Sequence, residues 1–174
     1  AGYIGSHLCV ELDAAGHEII VIDNFSNSHS QVIERINSLT GRPISFEDID
    51  ICNAGDTKRV FVDFQPEVVI HLAGLKSVDE SIAHPLQYYS TNIGGTLALL
   101  EVMNSVGCGN IVFSSSATVY GLPSELPLNE LHALQPENPY GYTKLFIEQI
   151  ISDWRSAAAD RSAICLRYFN PIGA

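Results

Sequence analysis

Asn110-Ile111-Val112-Phe113-Ser114-Ser115-Ser116 decides the fold. Three successive apolar residues, stopped abruptly by serines, describe a short strand covered on both faces. A strand with one wet face would alternate apolar and polar residues instead. Val68-Val69-Ile70 and Ile19-Ile20-Val21-Ile22 have the same character. Strands are predicted over 18–23, 44–48, 68–73, 110–115 and 163–168. Helical spacing fills the intervals at 6–15, 30–39, 54–64, 86–106 and 140–158. Strand–helix alternation of this kind predicts right-handed βαβ units in an α/β fold with a doubly wound parallel sheet. Ligands of such sheets bind beyond the carboxyl ends of the strands, so the last residues of each strand are where chemistry is expected.

The totals narrow the classes. A chain of 174 residues suits one domain, spanning 1–174, with a real core. With 46% hydrophobic and 17% charged residues it reads as globular. No apolar run reaches the roughly 18 residues needed to cross a bilayer, and the opening Ala1-Gly2-Tyr3-Ile4-Gly5, without a basic region, does not read as a signal peptide. A net charge of −11 without a Lys/Arg cluster opposes nucleic acid and anionic membranes as partners. Cys9, Cys52, Cys108 and Cys165 are dispersed and read as reduced core residues of a cytosolic protein. The six histidines show no paired spacing, so no metal is predicted.

Past the central strand, Pro139 is followed by Tyr140-Gly141-Tyr142-Thr143-Lys144. On a helix, residues four apart share a face, so Tyr140 and Lys144 are neighbours while Tyr142 points elsewhere. A phenol titrates near pH 10 and is a poor base at neutral pH. An ammonium group on the same face, and a cationic ring nearby, favour the phenolate. Bringing the phenol to about 7 needs roughly 4 kcal/mol of such preference. A strand-end serine able to bind a reacting oxygen completes a proton-transfer set of Ser116, Tyr140 and Lys144.

The other strand ends suggest a nucleotide. Gly2 and Gly5 precede a predicted helix, and their bare backbones would let a pyrophosphate reach its N-terminus. Asp23 ends an apolar strand close to the spacing of about 20 residues at which an acid meets adenosine ribose. No arginine follows at once, which favours NAD over NADP. Asn24, Ser26, Asn27 and Ser28 can line the same pocket. Asp50 and Ile51 can flank the adenine. Leu72, Ala73 and Gly74 let the backbone approach a ligand, and Lys76 can neutralise phosphate.

Taken in order, six stretches carry a resemblance: Gly-Tyr-Ile-Gly-Ser-His (2–7), Asp-Asn (23–24), His-Leu-Ala-Gly-Leu-Lys (71–76), Ser-Ser-Ser-Ala-Thr-Val-Tyr-Gly (114–121), Pro-Tyr-Gly-Tyr-Thr-Lys (139–144) and Arg-Tyr-Phe-Asn-Pro-Ile-Gly-Ala (167–174). The chain resembles the extended short-chain dehydrogenase/reductase family and, within it, the nucleotide-sugar 4-epimerases. That resemblance implies an NAD-binding Rossmann fold and interconversion of UDP-galactose and UDP-glucose through a 4-keto sugar. It implies that Tyr140 takes the proton of the sugar 4-hydroxyl, that Ser116 bonds the 4-oxygen, and that Lys144 binds the nicotinamide ribose and lowers the tyrosine pKa. Tyr3, Ile4, residues 23–28, Asp50, Ile51, residues 72–76 and Phe169 match cofactor contacts, and Asn170 and Lys76 match contacts to the UDP-sugar. A family asparagine at the cofactor aligns with Thr91, beside Asn92, and the contact is assigned to Asn92. The family is commonly a homodimer through helices matching 86–106 and 140–158.

Two other readings stand beside this one. A dehydratase or decarboxylase on the same scaffold is disfavoured because Ala117 and Thr118, not an acidic pair, follow Ser116. A non-catalytic dinucleotide-binding module is disfavoured because Tyr140, Lys144 and Ser116 are all kept. The glycine loop matches only the second half of Gly-x-x-Gly-x-x-Gly, and residues 167–174 end in what reads as a continuing loop. The sheet is therefore expected to lack its first strand, and the chain to lack a C-terminal substrate domain. Made alone, residues 1–174 are expected to melt without a cooperative transition, which differential scanning calorimetry would check.

Overall fold

β4 (Asn110–Ser116) is the central element. It pairs in parallel with β3 (Val69–His71) on one side and with β5 (Ser162–Tyr168) on the other. The computed structural model describes residues 1–123 and 125–172, so Gly173 and Ala174 of the last motif lie outside the described residues. β1 (Ile20–Asp23) and β2 (Ser45–Asp48) form a second parallel pair. Among the described residues, β1 and β3 are not paired with each other. The expected parallel sheet without its first strand thus exists as two halves, of two and three strands.

Helices connect the strands as the rhythm predicted. α1 (Tyr3–Ala14), α2 (Gln31–Thr40) and α3 (Ala54–Phe64) precede β1, β2 and β3 respectively. α6 (Gly95–Val106) leads into β4, and α7 (Pro139–Ser156) leads into β5. Each start has a local cause. Asn53 accepts the Gly55 and Asp56 N–H groups at the head of α3, and Asn138 accepts the Gly141 N–H (2.8 Å) at the head of α7, with Pro139 in the first turn.

Ile111 and Phe113 of β4 meet Leu99, Leu100 and Met103 of α6 and Ile147, Ile151 and Trp154 of α7 in the main core. Cys9, Val21, Ile33, Ile36 and Ile44 form a smaller core around β1. Ile22 packs on the main core, and Asn27 Nδ2 donates to the Gly74 carbonyl (3.2 Å), so the two halves touch. Among the described residues no helix is long and apolar enough to cross a membrane.

Three expectations are corrected. The helix predicted at 86–106 is broken: α5 (Pro85–Tyr88) comes first, then a π-helical turn over Tyr89–Gly94, then α6, and a further helix, α4 (Val78–Ala83), precedes them. Gly94 and Gly95 are poor helix formers, and Asn92 turns its amide away to another loop, so a regular helix is not held there. Ser77 starts α4 by accepting the Glu80 N–H, a capping signal the spacing argument passed over. α1 begins at Tyr3, so Gly5 lies in its first turn and only Gly2 precedes it. Of the four cysteines expected in the core, Cys9 and Cys108 are buried but Cys52 and Cys165 are exposed; all four are free thiols.

Gly121 closes the turn after β4 with φ +65°, and a Cβ there would stand 2.0 Å from the Gln135 carbonyl oxygen. Neither backbone can yield. Gly16 also has positive φ (+86°) but faces open space. In denaturant titrations of the full-length protein, Gly121→Ala is expected to cost roughly 3 kcal/mol or more, and Gly16→Ala about 1–2 kcal/mol. Equal costs would show that the Gln135 contact is not constraining.

Candidate functional site

Three adjacent serines at the end of β4 do three different things. The Ser114 carbonyl accepts a hydrogen bond from Lys144 Nζ (2.8 Å). The Ser115 hydroxyl donates to the carboxylate of Glu148. The Ser116 oxygen accepts from the Thr118 amide (3.2 Å) and the Thr118 hydroxyl (2.8 Å), capping the 3₁₀ turn Ala117–Tyr120. With both bonds incoming, the Ser116 hydrogen is left for the Tyr140 phenol, which lies near enough for Ser116 to lower its pKa. Ser116, Tyr140 and Lys144 therefore do converge.

α7 explains how. Lys144, one turn after Tyr140, is buried, with its ammonium over the Phe113 ring (4.8 Å to the centroid) and 5.7 Å from the centre of the Tyr140 ring. Burial pushes its pKa down to about 8. His71, buried on the neighbouring strand, is driven far below the ordinary imidazole value by burial and by the Lys144 charge, so it is neutral. Thr96 Oγ1 donates to the Asn92 carbonyl (2.7 Å), so its lone pair takes His71 Nε2–H (2.9 Å) and the tautomer follows.

Burial raises the Tyr140 phenol above its ordinary value, and Ser116 opposes the rise. The lowering that the resemblance implies involves a cationic ring beside the phenol as well as Lys144. Tyr142 behaves as expected: it is 39% exposed and lies against Phe146, on the other face of α7.

Of the residues assigned to a nucleotide, Asp23, Asn24, Asn27, Asp50, Ile51, Ala73 and Gly74 line one cleft across the ends of β1, β2 and β3, together with Ser26 and Thr91. Asn24 Nδ2 donates to Asp50 Oδ2 (3.0 Å), while Asp50 accepts the Cys52 N–H, which lowers its pKa. Asp23 holds its loop by accepting the Phe25 N–H (2.7 Å) and the Ser28 hydroxyl (3.0 Å). Phe25 has φ +51°, a strained value for a side chain with a Cβ, beside the predicted ribose acid.

The remainder are placed differently. Ser28 supports Asp23 from behind. Gly2, Tyr3, Ile4 and Gly5 form the start of α1, whose N-cap Gly2 provides no side-chain acceptor. Leu72 lies against Gly5, with Cδ1 3.2 Å from where a Cβ would be. Lys76 is exposed after the Gly74–Leu75 bend. Asn92 is not in the cleft: only 3% exposed, it brackets Leu75 by accepting its N–H (2.8 Å) and donating to its carbonyl (2.9 Å), and also donates to Thr143. Gly74 is needed there, with φ +151° and Asn92 Oδ1 3.0 Å from its missing Cβ. Thr91 lines the cleft instead. Phe169, 62% exposed, and Asn170, also exposed, follow Tyr168, which pairs with Ser116 across β4 and β5.

Sequence reasoning missed Thr118, Glu148 and Arg167. Arg167 forks onto Glu148 (Nε–Oε1 3.0 Å, Nη2–Oε2 2.7 Å), and Glu148 follows Tyr140 and Lys144 at helical spacing, which was the available signal. Among the described residues no group of His, Cys, Asp and Glu could hold a metal ion. An acid-lined cleft, an uncapped helix start, a bare Gly74 backbone and a Tyr–Lys–Ser cluster make a set that can hold a dinucleotide and move a proton.

The sequence matches the NAD dependent epimerase/dehydratase family over residues 1–174. The chain belongs to that family. It is 49% identical to UDP-glucose 4-epimerase of Bacillus subtilis over 174 residues, covering 100% of this chain and 51% of that protein. It is 49% identical to human UDP-glucose 4-epimerase over 181 residues, with 100% and 52% covered. The chain thus spans about half the length of the curated relatives it matches. The crystal structure of UDP-glucose 4-epimerase from Stenotrophomonas maltophila, with bound NAD and formylated UDP-arabinopyranose, superposes with a TM-score of 0.97 at 44% identity, covering 100% of this chain and 52% of that one. A Bifidobacterium longum UDP-glucose 4-epimerase in complex with NAD+ and UDP also gives 0.97 and 44%, with the same coverage. The α/β architecture with parallel strands is that of NAD-binding Rossmann-fold epimerases.

Lys144 also makes a measurable demand on stability. Its pKa is about 8 in the fold against 10.5 ordinarily, so between these values the unfolded chain binds more protons. Its burial cost is present in full below about pH 8 and is relieved as pH rises towards 10.5. Denaturation of the full-length protein at several pH values, wild type minus Lys144→Met, is expected to give a difference that climbs through this window. A flat difference would mean the ammonium is solvated.

Proposed function

We propose that the full-length protein carrying this chain is an NAD-dependent epimerase that interconverts UDP-galactose and UDP-glucose. The observation that carries the reading is the meeting of Tyr140, Lys144 and Ser116 at the end of β4, in a chain whose strand ends also build an acid-lined cleft. The cleft would hold the adenosine half through Asp23, Asn24, Asn27, Asp50 and Ile51. The uncapped start of α1 at Gly2, with Tyr3, Ile4 and Gly5, would take the pyrophosphate, assisted by Lys76. NAD, when bound, supplies what side chains lack: a carrier that accepts a hydride from the sugar C4 and returns it, and a cationic ring.

The residues of the chain supply the proton chemistry. Tyr140 removes the proton of the 4-hydroxyl as the 4-keto sugar forms and returns it afterwards. Ser116, its own oxygen held by Thr118, donates to the 4-oxygen or to the phenol. Burial alone keeps the phenol too weak an acid, so Lys144 is required: at pH 7 its pKa of about 8 leaves it protonated by roughly ten to one. We further propose a homodimer and a cytosolic location, the latter supported by four unpaired cysteines. Phe169 and Asn170 are assigned to the cofactor and the sugar nucleotide by resemblance.

The test is conversion of UDP-galactose to UDP-glucose by the full-length protein. Tyr140→Phe is expected to lower kcat by about 10²–10⁴-fold while the NAD content stays unchanged. Wild-type rates in that variant would remove Tyr140 as the base. A product lighter by water or carbon dioxide would instead indicate a dehydratase or decarboxylase.

A further inference from the structure

Glu148 and Arg167 take no part in the chemistry described above, yet they connect α7, β4, β5 and the turn after β4. The face of β4 that α7 covers carries the buried residues Ile111, Phe113 and Ser115. Tyr140, Lys144 and Glu148 follow one another along α7 at intervals of four residues. Lys144 meets Phe113 and the Ser114 carbonyl, and Glu148 meets Ser115 one turn on. In the β4–β5 register Ser115 stands opposite Arg167, and both hold the same carboxylate. Ser115 and Arg167 Nε reach Oε1, and Arg167 Nη2 reaches Oε2. The remaining arm of the guanidinium, Nη1, donates to the Tyr120 hydroxyl (2.8 Å) in the turn that Ser116 caps. The pair is largely shielded, with 20% of the Arg167 and 10% of the Glu148 side chain exposed. Glu148 raises the Arg167 pKa further.

We propose that Glu148 and Arg167 are positioning residues for proton transfer. Their forked ion pair sets the height and rotation of α7 over the β4–β5 pair, and through Tyr120 fixes the turn behind Ser116. A helix held only by apolar side chains can slide by fractions of an ångström with little change in burial. A bidentate fork cannot, because both of its hydrogen bonds must be made at once. Proton transfer is sensitive on that scale: a misplacement of about 1 Å can cost roughly 100-fold in rate. The inference rests on the assignment of Tyr140 as the base.

The test compares Glu148→Gln, Arg167→Lys and the double variant of the full-length NAD-bearing enzyme. Glu148→Gln keeps the shape and one acceptor, and Arg167→Lys keeps the charge without the fork. Each is expected to lower kcat by roughly 10- to 100-fold, with KM for the UDP-sugar and NAD content within about twofold of wild type. Because the two act as one unit, the double variant is expected to be no slower than the worse single one. A kcat within twofold of wild type, or a fall matched by lost NAD content or by an equal rise in KM, would overturn the proposal. Should either variant fail to fold, Ser115→Ala, which removes one bond to Glu148, is expected to lower kcat about 3- to 10-fold at constant KM. An unchanged kcat there would overturn it as well. Tyr140→Phe runs alongside: if it is inactive while Glu148→Gln is normal, only the positioning role fails, and if it is active, both readings fail.

Discussion

The buried ammonium of Lys144 is the constraint to which the rest of the site conforms. Removing a charge from water is expensive unless a partner is waiting, and this one has a carbonyl at 2.8 Å and the face of an aromatic ring. Both partners belong to β4. Moving α7 along the strand would break both contacts, so helix and strand fix one another. The charge also decides the state of its neighbour, since His71 beside it is neutral and donates to Thr96 rather than competing for the site. A buried cation is a poor way to gain stability and a direct way to set register.

That constraint also explains the balance at Tyr140. Burial alone raises a phenol, and Ser116 only partly opposes it. A base at neutral pH needs several kcal/mol of preferential phenolate stabilisation, about 1.4 kcal/mol per unit. One neutral hydroxyl, worth about 1–2 kcal/mol, falls short of that. Positive charge is therefore not an optional refinement of the site. The chain supplies one such charge, already dried and aligned by its own packing.

Much of this was legible because periodicity and strand ends are local properties. Continuous apolar runs fixed the parallel strands, and the carboxyl-end rule picked out Asp23, Asn24, Asn27, Asp50, Ile51, Ala73 and Gly74, which share one cleft. What was not legible depends on tertiary partners. Asn92 looked like a ligand contact, but a buried amide must find partners for its donors and acceptors, and the Leu75 backbone and Thr143 provide them. The π-helical turn arises where that demand and two glycines defeat a helix that spacing alone would draw straight through. Gly5 was placed before the helix because the Gly-x-x-Gly pattern reads as a loop, whereas it lies in the first turn of α1, where Leu72 packs against its bare backbone. Ser115 and Arg167 lie 52 positions apart in the chain and meet only through strand register.

α7 separates these two kinds of information within one element. Tyr140 and Tyr142 are the same residue type two positions apart, which on a helix means about 200° of rotation. One faces Ser116 and Lys144; the other faces out, where Tyr142, Phe146 and Tyr89 form a row of aromatic contacts. An amphipathic reading would assign the aromatic row to the core and the Tyr–Lys–Glu row to solvent, and both assignments would be inverted over these turns. Burying a row of polar groups costs free energy at every member unless each is satisfied, and here each has a named partner. A protein has no stability reason to prefer that arrangement to leucines. The inversion is the physical feature of this helix that supports the proposed proton chemistry.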